Sequence, residues 1–201
     1  AALSGNLVPN GAILKVSAAT PALLEHTGPA YVFDDYEDML ERIDSDDLPV
    51  TADTVLILRN AGPKGVPGMP EWGQIPLPAK LMKSGVKDIV RISDARMSGT
   101  GYGTVILHAA PEAAVGGPLA IVANGDLVRL SLAERRLDVL LPDAEIARRL
   151  STWRPQRKHT RGYPRLYEDH VLQADQGCDF DFLRPETAED LAFREPIVGR
   201  S

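Results

Sequence analysis

The 201 residues contain one cysteine, Cys178. A single thiol excludes an internal disulfide framework and cannot by itself build a zinc ribbon or a four-thiolate iron-sulfur cluster. Long apolar runs are also lacking. None approaches the roughly 20 residues that span a bilayer, and the first segment has no basic stretch ahead of an apolar one, the pattern of a secretory signal. Basic charge is not in excess either: 22 Lys and Arg stand against 28 Asp and Glu, a net charge of −6. Phosphate-rich or anionic surfaces recruit basic proteins, so nucleic acid and membrane are disfavoured as partners and a small molecule is favoured. These features predict a soluble, cytoplasmic protein.

What is present is ordinary globular material, 44% hydrophobic and 25% charged. A chain of this size buries roughly 70% of the surface its unfolded form exposes, enough for one large domain or one domain with a tail. It opens AALSGNLVPNGAILKV, without Met. A processed start, a purification boundary and a cut between two domains of a longer polypeptide all account for that.

Short strand-like runs alternate with Gly/Pro punctuation. Strands are expected at 12–16, 30–33, 54–58, 89–92, 119–122, 127–132 and 137–141, the last two joined as a hairpin through AERR, and 104–107 is apolar. The run TVLIL at 54–58 has no polar interruption, as in a strand covered on both faces. Tyr36, Met39, Leu40 and Ile43 recur at helical spacing behind Asp34 or Asp35 as cap, predicting a helix over 35–44. Further helices are expected at 77–83 and from a capping Asp143 through Ile146, Ala147 and Leu150, and residues 111–114 have helical composition. The sum is a mixed α/β, β-rich domain over 1–150, a barrel or curled sheet with short helices outside.

Residues 151–201 read as an arm and tail of the same domain. Arg154, Arg157, Lys158, His159, Arg161 and Arg165 crowd a segment that is either a solvated connector or an interface for an acidic surface. Residues 167–174 have helical character, Phe180 and Phe182 alternate as in an edge strand or docking peptide, and 186–201 resemble a frayed helix and terminus.

Two glycine-rich loops follow apolar strands, where ligands collect in α/β folds. The first contains Gly62, Gly65, Gly68 and Gly73 with three prolines and two ionisable side chains, Lys64 and Glu71. Glycine lets amides approach a ligand and proline stiffens the frame. Glu71 is thus either a hard-cation ligand for Mg²⁺ or the solvated carboxylate of a structural turn. The second loop, DARMSGTGYGT, spaces Gly99, Gly101 and Gly103 only approximately as a dinucleotide fingerprint does. Its Ser98 can serve as nucleophile or base only if a cation or amide cluster offsets its weak acidity. His108 reads as a satisfied core histidine rather than a triad partner, and Cys178 as an inert packing residue.

Taken in order, LSGNLVPNGAILKVSA, the paired motifs GPKGVPGMPE and SDARMSGT, and LLPDAEIARR resemble the C-terminal part of the dihydroxyacid and sugar acid dehydratases, over about residues 1–183. RMSGT, with the tail HVLQADQGCDFDFL, is similar to the aldonate branch, such as arabinonate and xylonate dehydratases; the branched-chain biosynthetic enzymes have RFSGG and lack that tail.

The resemblance implies a swivelling-type mixed β-barrel flanked by short α-helices. It implies loss of water from a 2,3-dihydroxy sugar acid to give a 2-keto-3-deoxy acid, with Mg²⁺ and an iron-sulfur cluster as cofactors and a homo-oligomeric full-length enzyme. Ser98 matches the base, Thr100 a neighbouring positioning hydroxyl and Glu71 a Mg²⁺ ligand, while His170 and Arg96 fall to substrate binding. The cluster cysteines, the other Mg²⁺ carboxylates and a modified lysine belong to an N-terminal α/β domain outside this chain. A non-catalytic module that keeps the barrel, and a dehydratase of the branched-chain pathway, are the alternatives.

Overall fold

A computed structural model describes residues 1–99, 101–155 and 159–184. Its eight strands are β1 (Ala2–Leu3), β2 (Gly11–Leu14), β3 (Glu25–Phe33), β4 (Val55–Leu58), β5 (Arg91–Ser93), β6 (Val105–Ala110), β7 (Leu127–Ser131) and β8 (Arg136–Val139). They form one mixed sheet in the order β1-β2-β6-β5-β4-β3-β7-β8, in which β3, β4, β5 and β6 are parallel neighbours and the remaining pairs antiparallel. The two edges meet. Ser4 bridges to Arg136, and its amide and carbonyl bond Arg135 O and Leu137 N at 3.0 and 2.9 Å. Asn6 continues the seam by exchanging side-chain bonds with both backbone groups of Val139, so the sheet is nearly closed into a barrel with its edge groups satisfied. Gly5 is required here because a Cβ would overlap the Leu137 carbonyl.

β4 shows why its sequence lacks polar interruption. Val55 and Ile57 point into the barrel with Leu14, Ile92, Ile106 and Val128, whereas Leu56 and Leu58 face an outer layer with Phe33, Met39, Ile75 and Leu81. Period-two alternation thus feeds two cores, and every β4 residue is buried. The outer layer is closed by α1 (Tyr36–Arg42) and α2 (Ala79–Lys83). Asp35 caps α1 by accepting the Asp38 amide at 2.9 Å. Met39 and Ile43 bury as the period predicts, but Leu40 is exposed. α3 (Asp143–Thr152) lays Ile146, Leu150 and the following Trp153 on the barrel core; Asp143 begins this helix without a capping bond, behind Pro142.

Several expectations are corrected. Residues 119–122 are not a strand: Pro118–Ile121 is a 3₁₀ turn entered through Gly117, whose carbonyl accepts the Ala120 amide. The apolar character of that segment comes from plugging the barrel rather than from pairing. The helical composition at 111–114 resolves into a short 3₁₀ turn, Ala113–Val115, ended by Gly116 at φ 87°. In the tail, α4 (Gly162–His170) starts and stops earlier than expected, and a separate 3₁₀ turn occupies Ala174–Gln176. Phe180 and Phe182 do not alternate across a strand. Phe180 makes one bridge to Val171, and a turn at Asp181–Leu183 then stacks the two rings 5.3 Å apart. The expected helix at 186–201, together with Thr100, Arg157 and Lys158, lies outside the described residues.

The parallel strands β4 and β5 release their chains at one end of the barrel, and two buried carboxylates gather the loops there. Asp94, fully buried, accepts the amides of Asn60, Ala61 and Ala113 at 3.1, 2.9 and 2.9 Å. Glu112, 1% exposed, accepts those of Lys64 and Gly65 and the Gln173 side-chain amide. Gly62 lies so close that a Cβ would sit 2.6 Å from Glu112 Oε2. Burial, and then the Glu112 charge, push the Asp94 carboxyl up to about 7. Burial also raises Glu112 against the pull of its amides.

Two outcomes follow from this architecture. Gly5→Ala destabilises the fold by roughly 3 kcal/mol, read as a lower urea midpoint, because it separates the barrel edges. An unchanged midpoint would show that the seam carries no stability. The second concerns pH. Unfolded carboxyls release their protons near about pH 4, whereas the folded pair holds one until about pH 7, so the folded state binds more protons in between. Stability is therefore full below that window and is lost as pH rises through it, by up to about tenfold in the folding equilibrium per pH unit. Urea titrations of the wild type should show this loss relative to Asp94→Asn; parallel profiles for the two proteins would contradict it.

Candidate functional site

The first glycine-rich loop, 60–73, is a chain of turns fastened at both ends. Val66 and Met69 amides bond back to Gly62 and Val66 carbonyls, and Trp72 stacks on Tyr36 at 4.1 Å, tying the loop to the start of α1. At its far end the Gly73 amide donates to Arg96 O at 2.8 Å, which joins it to the second loop. Within that second loop the Gly101 amide closes a turn on Ser98 O at 3.0 Å, Lys15 Nζ donates to Gly99 O, and Gln74 Nε2 reaches Tyr102 O. The two loops are thus one stitched surface.

On that surface Glu71 and Arg96 meet. Arg96 Nη2 is 2.9 Å from Glu71 Oε1, with each side chain 48% exposed. Ser98 follows two residues later and is exposed. The structure therefore brings Glu71, Arg96 and the Ser98 turn onto neighbouring, mutually bonded segments. Thr100 lies outside the described residues. His170 ends α4, with Nδ1 2.9 Å from Asp181 Oδ1 and its ring edge-on to Phe182 at 5.3 Å; both partners belong to the tail rather than to either loop.

His108 departs from its expected role as a satisfied core residue. β2 and β6 lose register between Gly11 and Ile13, a bulge in β6 at which His108 takes φ 56°. Its amide donates to Ala95 O at 3.1 Å, anchoring the root of the second loop. The half-buried imidazole lines a cavity of about 420 Å³ with Asn10, Ile13, Asp175 and Cys178. Burial, and then the Arg96 charge, lower its pKa. Cys178 has the inert environment expected of it. Its thiol is pushed up by burial and then by Glu112, and its Sγ lies 3.6 Å from Met69 Sδ.

Sequence reasoning passed over Asp94, Glu112 and Gln173, the residues that fix the loops. A signal existed for two of them. Asp94 follows the buried strand Arg91–Ser93 with no intervening turn residue, and Glu112 is a lone carboxylate in the apolar run HAAPEAAV. A charge so placed must find donors, and here they are loop amides. Nothing in the sequence marks Gln173 as their partner.

No group of three or more His, Cys, Asp and Glu side chains among the described residues can hold a metal ion. Glu71, an exposed carboxylate, is of the donor type that Mg²⁺ takes singly or in pairs from protein. An iron-sulfur cluster does not fit: the single thiol is half-buried, its pKa is raised, and it packs on a thioether.

The family model for the dihydroxy-acid/6-phosphogluconate dehydratase C-terminal region matches residues 1–178. The chain is 57% identical, over 92% of its length, to a 6-deoxy-6-sulfo-D-gluconate dehydratase of Pseudomonas putida. It is 53% identical over 90% of its length to an L-arabinonate dehydratase of Rhizobium leguminosarum bv. trifolii, and 42% identical over 89% to a dihydroxy-acid dehydratase of Acetivibrio thermocellus. It spans 32% of the length of each of these relatives. A chain whose barrel and two stitched loops fall within so extensive a match belongs to the dihydroxy-acid/6-phosphogluconate dehydratase family, of which it represents the C-terminal part.

Proposed function

We propose that this chain is the C-terminal part of a sugar acid hydro-lyase, residues 1–150 forming its barrel and 151–201 an arm and tail of the same domain. The whole enzyme converts a 2,3-dihydroxy sugar acid to a 2-keto-3-deoxy acid. It works as a cytoplasmic homo-oligomer whose preceding α/β domain supplies the cluster thiolates and the remaining Mg²⁺ ligands. The observation that carries this reading is the fastening of the Glu71 loop to the Ser98 loop through Gly73 and Arg96. The order of identities supports a sugar acid substrate, because relatives named for such acids are 57% and 53% identical and the dihydroxy-acid enzyme 42%.

Ser98 Oγ, as the alkoxide left when its own proton passes to solvent, takes the proton from C2 of the substrate; the C3–O bond breaks, and the 3-hydroxyl, protonated by groups outside this chain, departs as water. The resulting enol tautomerises to the keto acid. A hydroxyl is too weak an acid for this at neutral pH without nearby positive charge. Arg96 is the cation this chain places two residues away. Glu71 would hold Mg²⁺ in part, and that ion would supply further positive charge to the site. The Glu71–Arg96 bridge is half-exposed, and such pairs are worth about 0–1 kcal/mol, so it yields readily and leaves the guanidinium to a substrate carboxylate. Thr100 positions substrate beside the serine, and His170, oriented by Asp181, contacts it from the tail.

In the full-length polypeptide, Ser98→Ala is expected to lower kcat about 1,000-fold with KM within about threefold. A near-normal kcat removes Ser98 from the base role. The isolated 201-residue chain, incubated with iron and sulfide under reducing conditions, should develop no stoichiometric cluster absorbance and should not dehydrate aldonates. Either signal would mean that the chain carries more of the site than this reading allows.

A further inference from the structure

Glu112 and Gln173 lie 61 residues apart and bond each other twice. Gln173 Oε1 accepts the Glu112 backbone amide at 2.9 Å, and Gln173 Nε2 donates to Glu112 Oε1 at 2.6 Å. The same carboxylate accepts the Lys64 amide at 2.8 Å and the Gly65 amide at 2.9 Å. One buried acid therefore joins the tail to the loop that carries Glu71. Further contacts follow the same path. The Tyr167 hydroxyl faces the Gly68 backbone, and Cys178 Sγ touches Met69 Sδ. Glu71 thus sits between the tail contacts at Gly68 and Met69 and the Gly73 bond to the second loop.

We propose that the Glu112–Gln173 pair is a latch through which the C-terminal tail holds the 60–73 loop in place, and that both are positioning residues for Glu71. The inference deepens the dehydratase reading and rests on it for its catalytic consequence. The physical case is one of satisfaction. Glu112 cannot reach water, and its charge is carried by two loop amides and one side-chain amide. Removing the Gln173 donor leaves a buried acceptor short of a partner, which the loop can relieve only by moving or by admitting water. An acid at 173 sets two carboxylates against each other in the same buried space. Exchanging the pair keeps one carboxylate and one amide and rebuilds the reciprocal bonds.

The test compares wild type with Gln173→Ala, Gln173→Glu and the double exchange Glu112→Gln with Gln173→Glu. In the full-length polypeptide turning over an aldonate, Gln173→Glu is expected to lower kcat about 100-fold, as small displacements of site groups do. It should also raise the half-saturating Mg²⁺ concentration about tenfold, the usual cost of losing an outer-shell support. The double exchange should recover most of both, which a merely destabilised tail would not do. In parallel, amide hydrogen exchange at Lys64 and Gly65 of the 201-residue chain should quicken at least about tenfold in Gln173→Ala while the β4 amides stay protected. Unchanged exchange at those two amides overturns the latch whatever the activity. Faster exchange with wild-type kcat and Mg²⁺ requirement overturns the positioning role. A wild-type enzyme that dehydrates no sugar acid defeats the functional reading instead, and exchange alone then decides the latch.

Discussion

Two buried carboxylates organise the functional end of this protein. Asp94 and Glu112 together accept five backbone amides drawn from two separate segments, and neither side chain has access to bulk water. A strand end or an irregular loop leaves amides without ladder partners, and a buried amide without a partner is costly. Here that demand is met by carboxyl oxygens, which make stronger bonds when ionised than a neutral acceptor does. The loops are consequently irregular in path but determined in position. Gly62 has no side chain because the Glu112 carboxylate occupies that space.

The same arrangement explains why the candidate chemistry lies outside while its supports lie inside. Glu71, Arg96 and Ser98 are exposed on a surface whose underside is fixed by Asp94, Glu112 and the Gly73 to Arg96 bond. An open surface of this kind suits a site closed by a second domain. These three side chains stay accessible from outside, and the path of their loops is held from below. The bulge at His108 belongs to this support, since it turns β6 away and gives an amide to the root of the Ser98 loop.

Much of the architecture was legible from pattern. Alternation and turn residues located the hairpin Leu127–Val139, the doubly covered strand at Val55–Leu58 and the helix capped by Asp35. The segment 119–122 failed because an apolar run of that length is the same for a strand and for a plug packed inside a barrel. Leu40 failed because a short helix on a sheet buries a narrower stripe than the full i, i+3, i+4 set. His108 was misjudged because nothing local announces a bulge, which is created by register against β2. Gln173 was invisible, since its partner is distant in sequence and nothing about the glutamine itself is unusual.

The sequence by itself determined the alternating core, the stiff Gly/Pro loops and the single thiol, too few to build a four-thiolate cluster alone. It also carried the motif pair by which family membership could be read, because these are properties of neighbouring residues. Only the tertiary structure decided that the barrel closes through Ser4 and Asn6, that Glu71 pairs with Arg96, and that the tail is bonded to the first loop through Glu112. Each of those depends on which distant donors reach a buried or half-buried charge, and that is fixed by how strands wrap rather than by any local preference.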